Sequence, residues 1–380
     1  MKRPFIQHNL FLLLSIFISL YAFVGLFSTA YSYEPPKVNK GVLDLSSWKG
    51  ETINLDGLWK FSWKKFLKPG EEAKELMQVP GSWDKRFQKR GYGTYVLLIK
   101  NLKKGQGIRI NRIFSAASFY AGEKLIYSTG KPGKNKVSEL PDFTYHVGAL
   151  PEGTFPLIVH LSNHSYRNGR LTEVKLGNYE ALKKQLSFFR YSEFFLMGIL
   201  FVMGFYYLVI YNQRKEDTSA FYFSLLCLII LARTLINGHH INLFFEPSKG
   251  FFDLLVRINY ISISFIPIVF LSYAASLFEK NVLKKVIKWF LIYALLLLPF
   301  NIFLPVHHQT GVLFRTLNEL IILATIFIFT YQGTVWVKMK APFSRPFTIS
   351  LAFLIFAALY DLAVGKVDFL PPYQISPILF

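Results

Sequence analysis

Six apolar segments, at 192–211, 219–238, 254–278, 289–305, 313–336 and 347–365, follow one another through the second half of this chain of 380 residues. Each reaches or nearly reaches the ~20 residues that a helix needs to cross a bilayer core of ~30 Å. Lipid offers no partners to backbone N–H and C=O groups, so the segments are expected to be helices. A seventh apolar run opens at Ser376-Pro377-Ile378-Leu379-Phe380, where the sequence stops, as if inside a last span. Composition agrees, with 52% hydrophobic and only 17% charged residues. The 39 Phe and 21 Tyr suit lipid-facing and interfacial positions. Cys227 is the single cysteine, which excludes an internal disulfide.

Orientation follows from the basic loops. Arg214, Lys215, Lys280, Lys284, Lys285, Lys288, Lys338, Lys340 and Arg345 fall on one side, against Lys249 and Lys366 on the other. The positive-inside rule puts the first set in the cytoplasm and everything just before residue 192 outside. At the N-terminus, Lys2 and Arg3 precede an apolar run from Leu10 to Phe27 and then Ser28-Thr29-Ala30. Residues 1–31 therefore read as a secretory signal, either cut after Ala30 or kept as an anchor. The expected location is a bacterial inner membrane, with the N-terminal domain periplasmic.

Residues 42–178 form a polar zone of short β-type runs. Thr94-Tyr95-Val96-Leu97-Leu98-Ile99 predicts a buried strand, and Ile108-Arg109-Ile110 and Ala117-Ser118-Phe119-Tyr120 alternate with period two. Phe155–Leu161 predicts another, with Pro156 at its start. About eight strands, with at most a small helix near Glu71–Met77, suggest an all-β sandwich or jelly roll. Tyr179–Arg190 contains no Gly or Pro and runs into the first span, so a linker helix over 179–191 is expected to join the two parts.

Leu55-Asp56-Gly57-Leu58-Trp59-Lys60-Phe61, Val79-Pro80-Gly81-Ser82-Trp83 and Gly91-Tyr92-Gly93-Thr94-Tyr95 together resemble the jelly-roll, galactose-binding-like module beside the catalytic barrel of β-galactosidase-type glycosidases. Followed by a membrane bundle, the same order of motifs resembles bacterial seven-transmembrane receptors with diverse intracellular signalling modules. Ser162-Asn163-His164, Arg167-Asn168-Gly169 and Leu176-Gly177 stand where that family carries a similar strand-end motif. Phe221–Leu226 and Leu231-Ala232-Arg233-Thr234 are similar to its second helix, and Tyr360-Asp361 and Ser376-Pro377 to the end of its sixth and the start of its seventh. The resemblance implies a periplasmic sensor that signals to a cytoplasmic kinase, cyclase or phosphatase module, none of which is legible in these residues. Ala121-Gly122-Glu123-Lys124 departs from the Asn-Gly hairpin turn expected between two strands.

Aromatic rings that stack on sugars, with polar neighbours that bond hydroxyls, are the chemistry of carbohydrate recognition. Trp83, Tyr92, Asn163, His164 and Arg167 supply those types and are the candidate ligand-binding residues. The competing expectation is that Trp59, Tyr95 and also Trp83 fill the sandwich core, and that Arg167 is a structural donor. Within the spans, Arg233, Asp253, Arg257, Arg315, Glu319 and Asp361 all fall in the outer third of the bilayer. Asp253/Arg257 and Arg315/Glu319 are spaced i,i+4, so each pair shares a helix face. Buried charges need partners, and Arg233 is expected to pair with Asp361 or Glu319; the alternative is snorkelling to the head groups. His239-His240 and His307-His308 lie in outward loops, but nothing in their spacing brings them together, and no metal or other cofactor is expected.

No G-x-S-x-G, H-E-x-x-H or G-x-x-x-x-G-K-[ST] motif occurs, so an enzyme is not expected. The expected partners are a small-molecule or carbohydrate ligand outside the cell, the lipid bilayer, and a second copy of the chain in a homodimer. Nucleic acid is not expected, although the chain carries a net charge of +20, which favours anionic ligands or lipid head groups. A membrane receptor is the leading reading. A transporter or membrane accessory protein whose outer domain captures substrate is the alternative, and would be expected to have broken helices and an inverted repeat.

Overall fold

The computed structural model describes residues 34–356, apart from 143, 167–168, 239, 279–280, 341–343, 346, 351 and 353–355. The signal segment, most of the sixth span and the seventh run lie outside the described residues.

Among the described residues, thirteen strands, numbered in chain order, build a β-sandwich from residue 42 to residue 178. The larger sheet runs β4 (Glu75–Val79), β3 (Gly57–Trp63), β6 (Gly91–Leu102), β11 (Gly153–Asn163), β8 (Ala116–Ala121), β9 (Lys124–Thr129). The strand β1 (Val42–Asp44) lies parallel to β6 against Leu98–Lys100, beyond Val96, where the β3 pairing ends. The smaller sheet runs β10 (His146–Ala149), β7 (Gln106–Ile110), β13 (Val174–Asn178), β2 (Ile53–Asn54). A two-stranded ribbon, β5 (Gly81–Ser82) with β12 (Arg170–Leu171), completes the fold.

Period-two alternation explains which faces meet. In β11, Phe155, Leu157, Val159 and Leu161 point into the core, as do Tyr95, Leu97 and Ile99 of β6 and Trp59 and Phe61 of β3. Burying each such side chain contributes roughly 1.5–3 kcal/mol. The Trp59 indole N–H donates to the Leu55 carbonyl at 2.9 Å, so its one polar atom is satisfied inside the core. The small helix allowed for near Glu71–Met77 does not form, because Glu75–Val79 is strand β4, with Met77 and Val79 both facing inward. Gly122-Glu123 closes a two-residue hairpin between Ala121 and Lys124. With φ at +58° on Gly122 alone, it is a turn with glycine first and needs no Asn-Gly.

The chain then enters α1 (Tyr179–Gln213), one helix of 35 residues in which the linker and the first span are continuous. Asn178 caps its start by accepting from the Ala181 N–H at 3.0 Å. Among the described residues there follow α2 (Thr218–Asn237), α3 (Lys249–Phe278), α4 (Asn281–Phe303), the short α5 (Val306–Gln309) and α6 (Val312–Lys338). Five of these are long and apolar enough to cross a membrane: α1, α2, α3, α4 and α6. The helix α1 packs on α2, α2 on α3, and α3 on both α4 and α6. Gly204 lets α1 and α2 approach closely, and its carbonyl accepts from Ser224 Oγ at 2.7 Å. Phe278 stacks on Trp336 at 4.1 Å in the apolar cluster at the end of the bundle away from the sandwich.

Candidate functional site

Where the sandwich meets the bundle, polar side chains hold two sandwich loops together. Glu139 is 2% exposed, and its carboxylate is saturated by donors from the end of β11. Ser162 Oγ donates at 2.8 Å, Ser165 Oγ at 2.9 Å, and the His164 backbone N–H reaches both oxygens at 3.0 Å. Ser162 Oγ in turn accepts from the Gly133 N–H at 3.0 Å, and the His164 ring Nε2 lies 3.1 Å from the Gly133 carbonyl oxygen. A buried carboxylate is costly to desolvate, and here the donors that offset the cost also fix the loop that follows Gly133.

Asn163 is equally committed. Its Nδ2 donates to the backbone oxygens of Lys89 and Tyr166 at 3.2 and 3.3 Å, and its Oδ1 accepts from the Tyr166 N–H at 3.1 Å. The bracketed segment carries Tyr166, which stacks on Phe114 (5.2 Å between centroids) and packs against Phe252 and Val256 of α3 and Val306 of α5. Asn163 and His164 thus sit in the joint between sandwich and bundle. Arg167 lies outside the described residues.

Trp83 is fully buried, with its ring against Phe61 and edge-on to Trp63, and it presents no open face. Tyr92 is half-buried on the outer face of the larger sheet, beside Phe66 at 4.8 Å. Phe66 also touches His160, and His160 touches Tyr120, so four half-buried rings line that face. His160 Nε2 lies 2.8 Å from the Leu67 carbonyl oxygen, and burial lowers its pKa below the usual imidazole value.

The second joint is α1 on the smaller sheet. Tyr179, Leu182 and Leu186 share one helix face and pack on Tyr145 and Val147. Arg109 of β7, itself buried, donates to Gln185 Oε1 at 2.9 Å. A Cβ on Gly107 would meet the Tyr179 ring at 2.9 Å, so glycine is what lets the helix lie flush on the sheet.

In the bundle, Arg233 turns to α3, donating to Ser262 Oγ at 2.9 Å and to the Asn259 carbonyl at 3.0 Å. Asp361 lies outside the described residues, and Glu319 takes Arg315 as its i,i+4 partner at 2.6 Å. Arg257 donates to the carbonyls of Asn301 and Ile302, neutralising the negative end of α4. Asp253 stands in the field of Arg257, Lys249 and Lys136. His240 bonds Glu193 of α1 at 2.8 Å, while the rings of His307 and His308 lie 4.2 Å apart. Among the described residues, no three His, Cys, Asp or Glu side chains are grouped to hold a metal.

Glu139, Tyr166 and Glu193 escape a reading of the sequence. Glu193 alone leaves a trace there, as a carboxylate just inside the first apolar segment.

A β-sandwich whose last strand runs directly into a membrane-length helix of a multi-helix bundle is the architecture of a polytopic membrane protein with a β-rich N-terminal domain. The family model for 7TM diverse intracellular signalling matches residues 189–379, half of the chain, and the chain belongs to that family. Comparison with curated proteins finds no match. Among solved structures, the chain is similar to a GH2 β-galacturonidase from Eisenbergiella tayi bound to galacturonate, at 18% identity over 40% of this chain and 26% of that one, with a TM-score of 0.26. A β-glucuronidase from Ruminococcus gnavus in complex with D-glucuronic acid is 15% identical over 33% of this chain and 29% of that one, also with a TM-score of 0.26. A glycosyl hydrolase family 2 member from Bacteroides cellulosilyticus is 13% identical over 33% and 20%, again at 0.26. The chain spans 26%, 29% and 20% of the length of these three proteins.

Proposed function

We propose that this chain is the sensing portion of a signal-transduction receptor in a bacterial inner membrane. The sandwich stands in the periplasm, binds a small-molecule or carbohydrate ligand, and passes the event through the bundle to the cytoplasmic side. The chain acts through a change of packing and not through chemistry on a substrate.

The observation that carries this reading is α1, 35 residues without a break, docked on the smaller sheet at one end and packed on α2 at the other. At 1.5 Å per residue it is about 52 Å long, enough to cross the bilayer and still reach the sandwich. Tyr166 supplies a second contact to α3 and α5, so a change in the sandwich has two routes into the helices. Orientation is supported by Arg214, Lys215, Lys284, Lys285, Lys288, Lys338, Lys340 and Arg345, which cluster in the sequence around the ends of helices away from the sandwich. A carbohydrate ligand is supported by the aromatic row of Phe66, Tyr92, His160 and Tyr120.

Spin labels at Gln213 and Lys338, both exposed at the far end of the bundle, test the relay in a Cys227→Ser background. A panel of neutral and acidic monosaccharides is added to the full chain in nanodiscs, with binding and label distance recorded in parallel. A sugar that binds is expected to shift the distance distribution between two populations. Binding without any shift overturns the relay, and no binding across the panel overturns carbohydrate as the ligand class.

A further inference from the structure

The joint between sandwich and bundle gathers cations from both sides. From the sandwich side come Arg90, whose neighbour Lys89 is tied to Asn163, and Lys136, in the loop that Glu139 holds. From the bundle side come Lys249, at the start of α3, and the His307-His308 pair of α5. Lys249 Nζ donates to the Lys136 backbone oxygen, so one contact brings the two loops to the same place. Tyr166 against Val306 does the same for the strand end and α5, which puts His307 within the fields of Arg90, Lys136 and His308.

The acids nearby do not balance this charge. Glu139 is turned inward and saturated. Asp253 is shared by Lys249, Arg257 and Lys136. Arg257 is occupied at the end of α4. None of Arg90, Lys136 and Lys249 forms an ion pair with a described carboxylate. All three remain at least partly exposed to solvent. Such a cluster, at the joint where Tyr166 meets Phe252, sums to a local positive field.

We propose that this joint is an anion-binding site, in which Arg90, Lys136 and Lys249 hold a phosphate- or carboxylate-bearing group between the sandwich and the bundle. Arg90 offers a fork to two oxygens of the anion, and the lysines act as point charges. His307 adds a ring N–H donor. The anion is either a free solute or the head group of an anionic lipid in the adjacent leaflet. Its part in signalling rests on the receptor reading given above. An anion touching both bodies favours the docked arrangement over any in which they separate.

The test uses the full chain in phosphatidylcholine nanodiscs, titrated calorimetrically with inorganic phosphate, beside the triple variant Arg90→Gln/Lys136→Gln/Lys249→Gln. These side chains lie at the surface, so the variant is expected to fold, and an unchanged circular dichroism spectrum checks that. For a free anion, phosphate binds the parent chain, and each lost charge-assisted contact weakens binding by roughly tenfold. For a lipid head group, discs containing phosphatidylglycerol yield a protein that retains that lipid in native mass spectrometry, with retention lost in the variant. Equal phosphate affinity and equal lipid retention in parent and variant overturn the site. Variant-sensitive binding that leaves the Gln213–Lys338 distance unchanged keeps the site and overturns the relay instead.

Discussion

His240 Nε2 lies 2.8 Å from a carboxylate oxygen of Glu193, with only 6% and 18% of the two side chains exposed and the Phe194 ring 4.4 Å from the imidazole. The contact ties α1 to the turn between α2 and α3, so the helix that leaves the sandwich is fastened again as it enters the bundle.

Removing either partner strands the other in a site with little water, at a cost of about 1–3 kcal/mol. Glu193→Ala and His240→Ala are each expected to lower the thermal stability of the full chain in detergent. The double variant should lose less than the two losses combined, as a double-mutant cycle measures. Simple additivity would show that the two residues act independently.

Acid should loosen the sandwich. Burial, aided by the nearby Arg190 charge, pushes the His146 pKa down from 6.5 to about 4, and burial lowers that of His160 as well. The His146 ring is therefore held neutral when folded, and the unfolded chain binds more protons between pH 6.5 and about pH 4; the His160 shift has the same sign. Their contribution is complete above the unfolded value and is lost as pH falls toward the folded one. His146 stacks on Tyr127 with centroids 3.8 Å apart, a contact that His146→Phe preserves. That variant should show a smaller drop in Tm than the parent between neutral pH and about pH 5, and an unchanged drop would remove His146 as a source of acid sensitivity.

Gly169 lies against the indole of Trp83, where an added Cβ would fall 1.9 Å from a ring carbon. Trp83 is fully buried among Phe61, Trp63 and Phe87, so the ring has no room to retreat. Gly169→Ala is expected to destabilise the chain by about 1–3 kcal/mol through overpacking. Denaturant unfolding followed by tryptophan fluorescence would measure it, and a neutral result would mean that the β5–β12 ribbon shifts to make space.

Orientation has its own check. An enzyme reporter active only in the periplasm should work when fused at Lys134, in a sandwich loop, and fail at Lys284, in the first turn of α4. Activity at Lys284 with silence at Lys134 would invert the arrangement.

The parts of this fold legible in the sequence are those imposed by a short, repeated physical demand. Lipid requires long apolar helices, so α2 and α6 are visible as composition alone. The core of the sandwich requires alternation, and Phe155, Leu157, Val159 and Leu161 display it openly. The helix suggested near Glu71–Met77 overlooks the same alternation in Met77 and Val79, because the polar residues before them carry no period. The polar sites are harder to read, since their logic is tertiary. Glu139 meets Ser162, His164 and Ser165, which lie 23, 25 and 26 residues away, and no local spacing anticipates that. Arg233 as an intramembrane charge is conspicuous, but its acceptors on α3 are a hydroxyl and a carbonyl, which a search for opposite charges passes over.

The unbroken run of α1 has a geometric corollary. Each helical residue advances the direction of its side chain by about 100°, so a rigid helix fixes the angle between what its two ends present. With Leu182 and Leu186 seated on the sheet, the heading of Gly204 toward Ser224 is already determined. One residue inserted near Tyr191 would turn that heading by about 100°, whereas four would bring it back to within about 40°. Such a rod couples its two ends through an angle, so the seating of the sandwich and the packing of the bundle are set in the phase of a single helix.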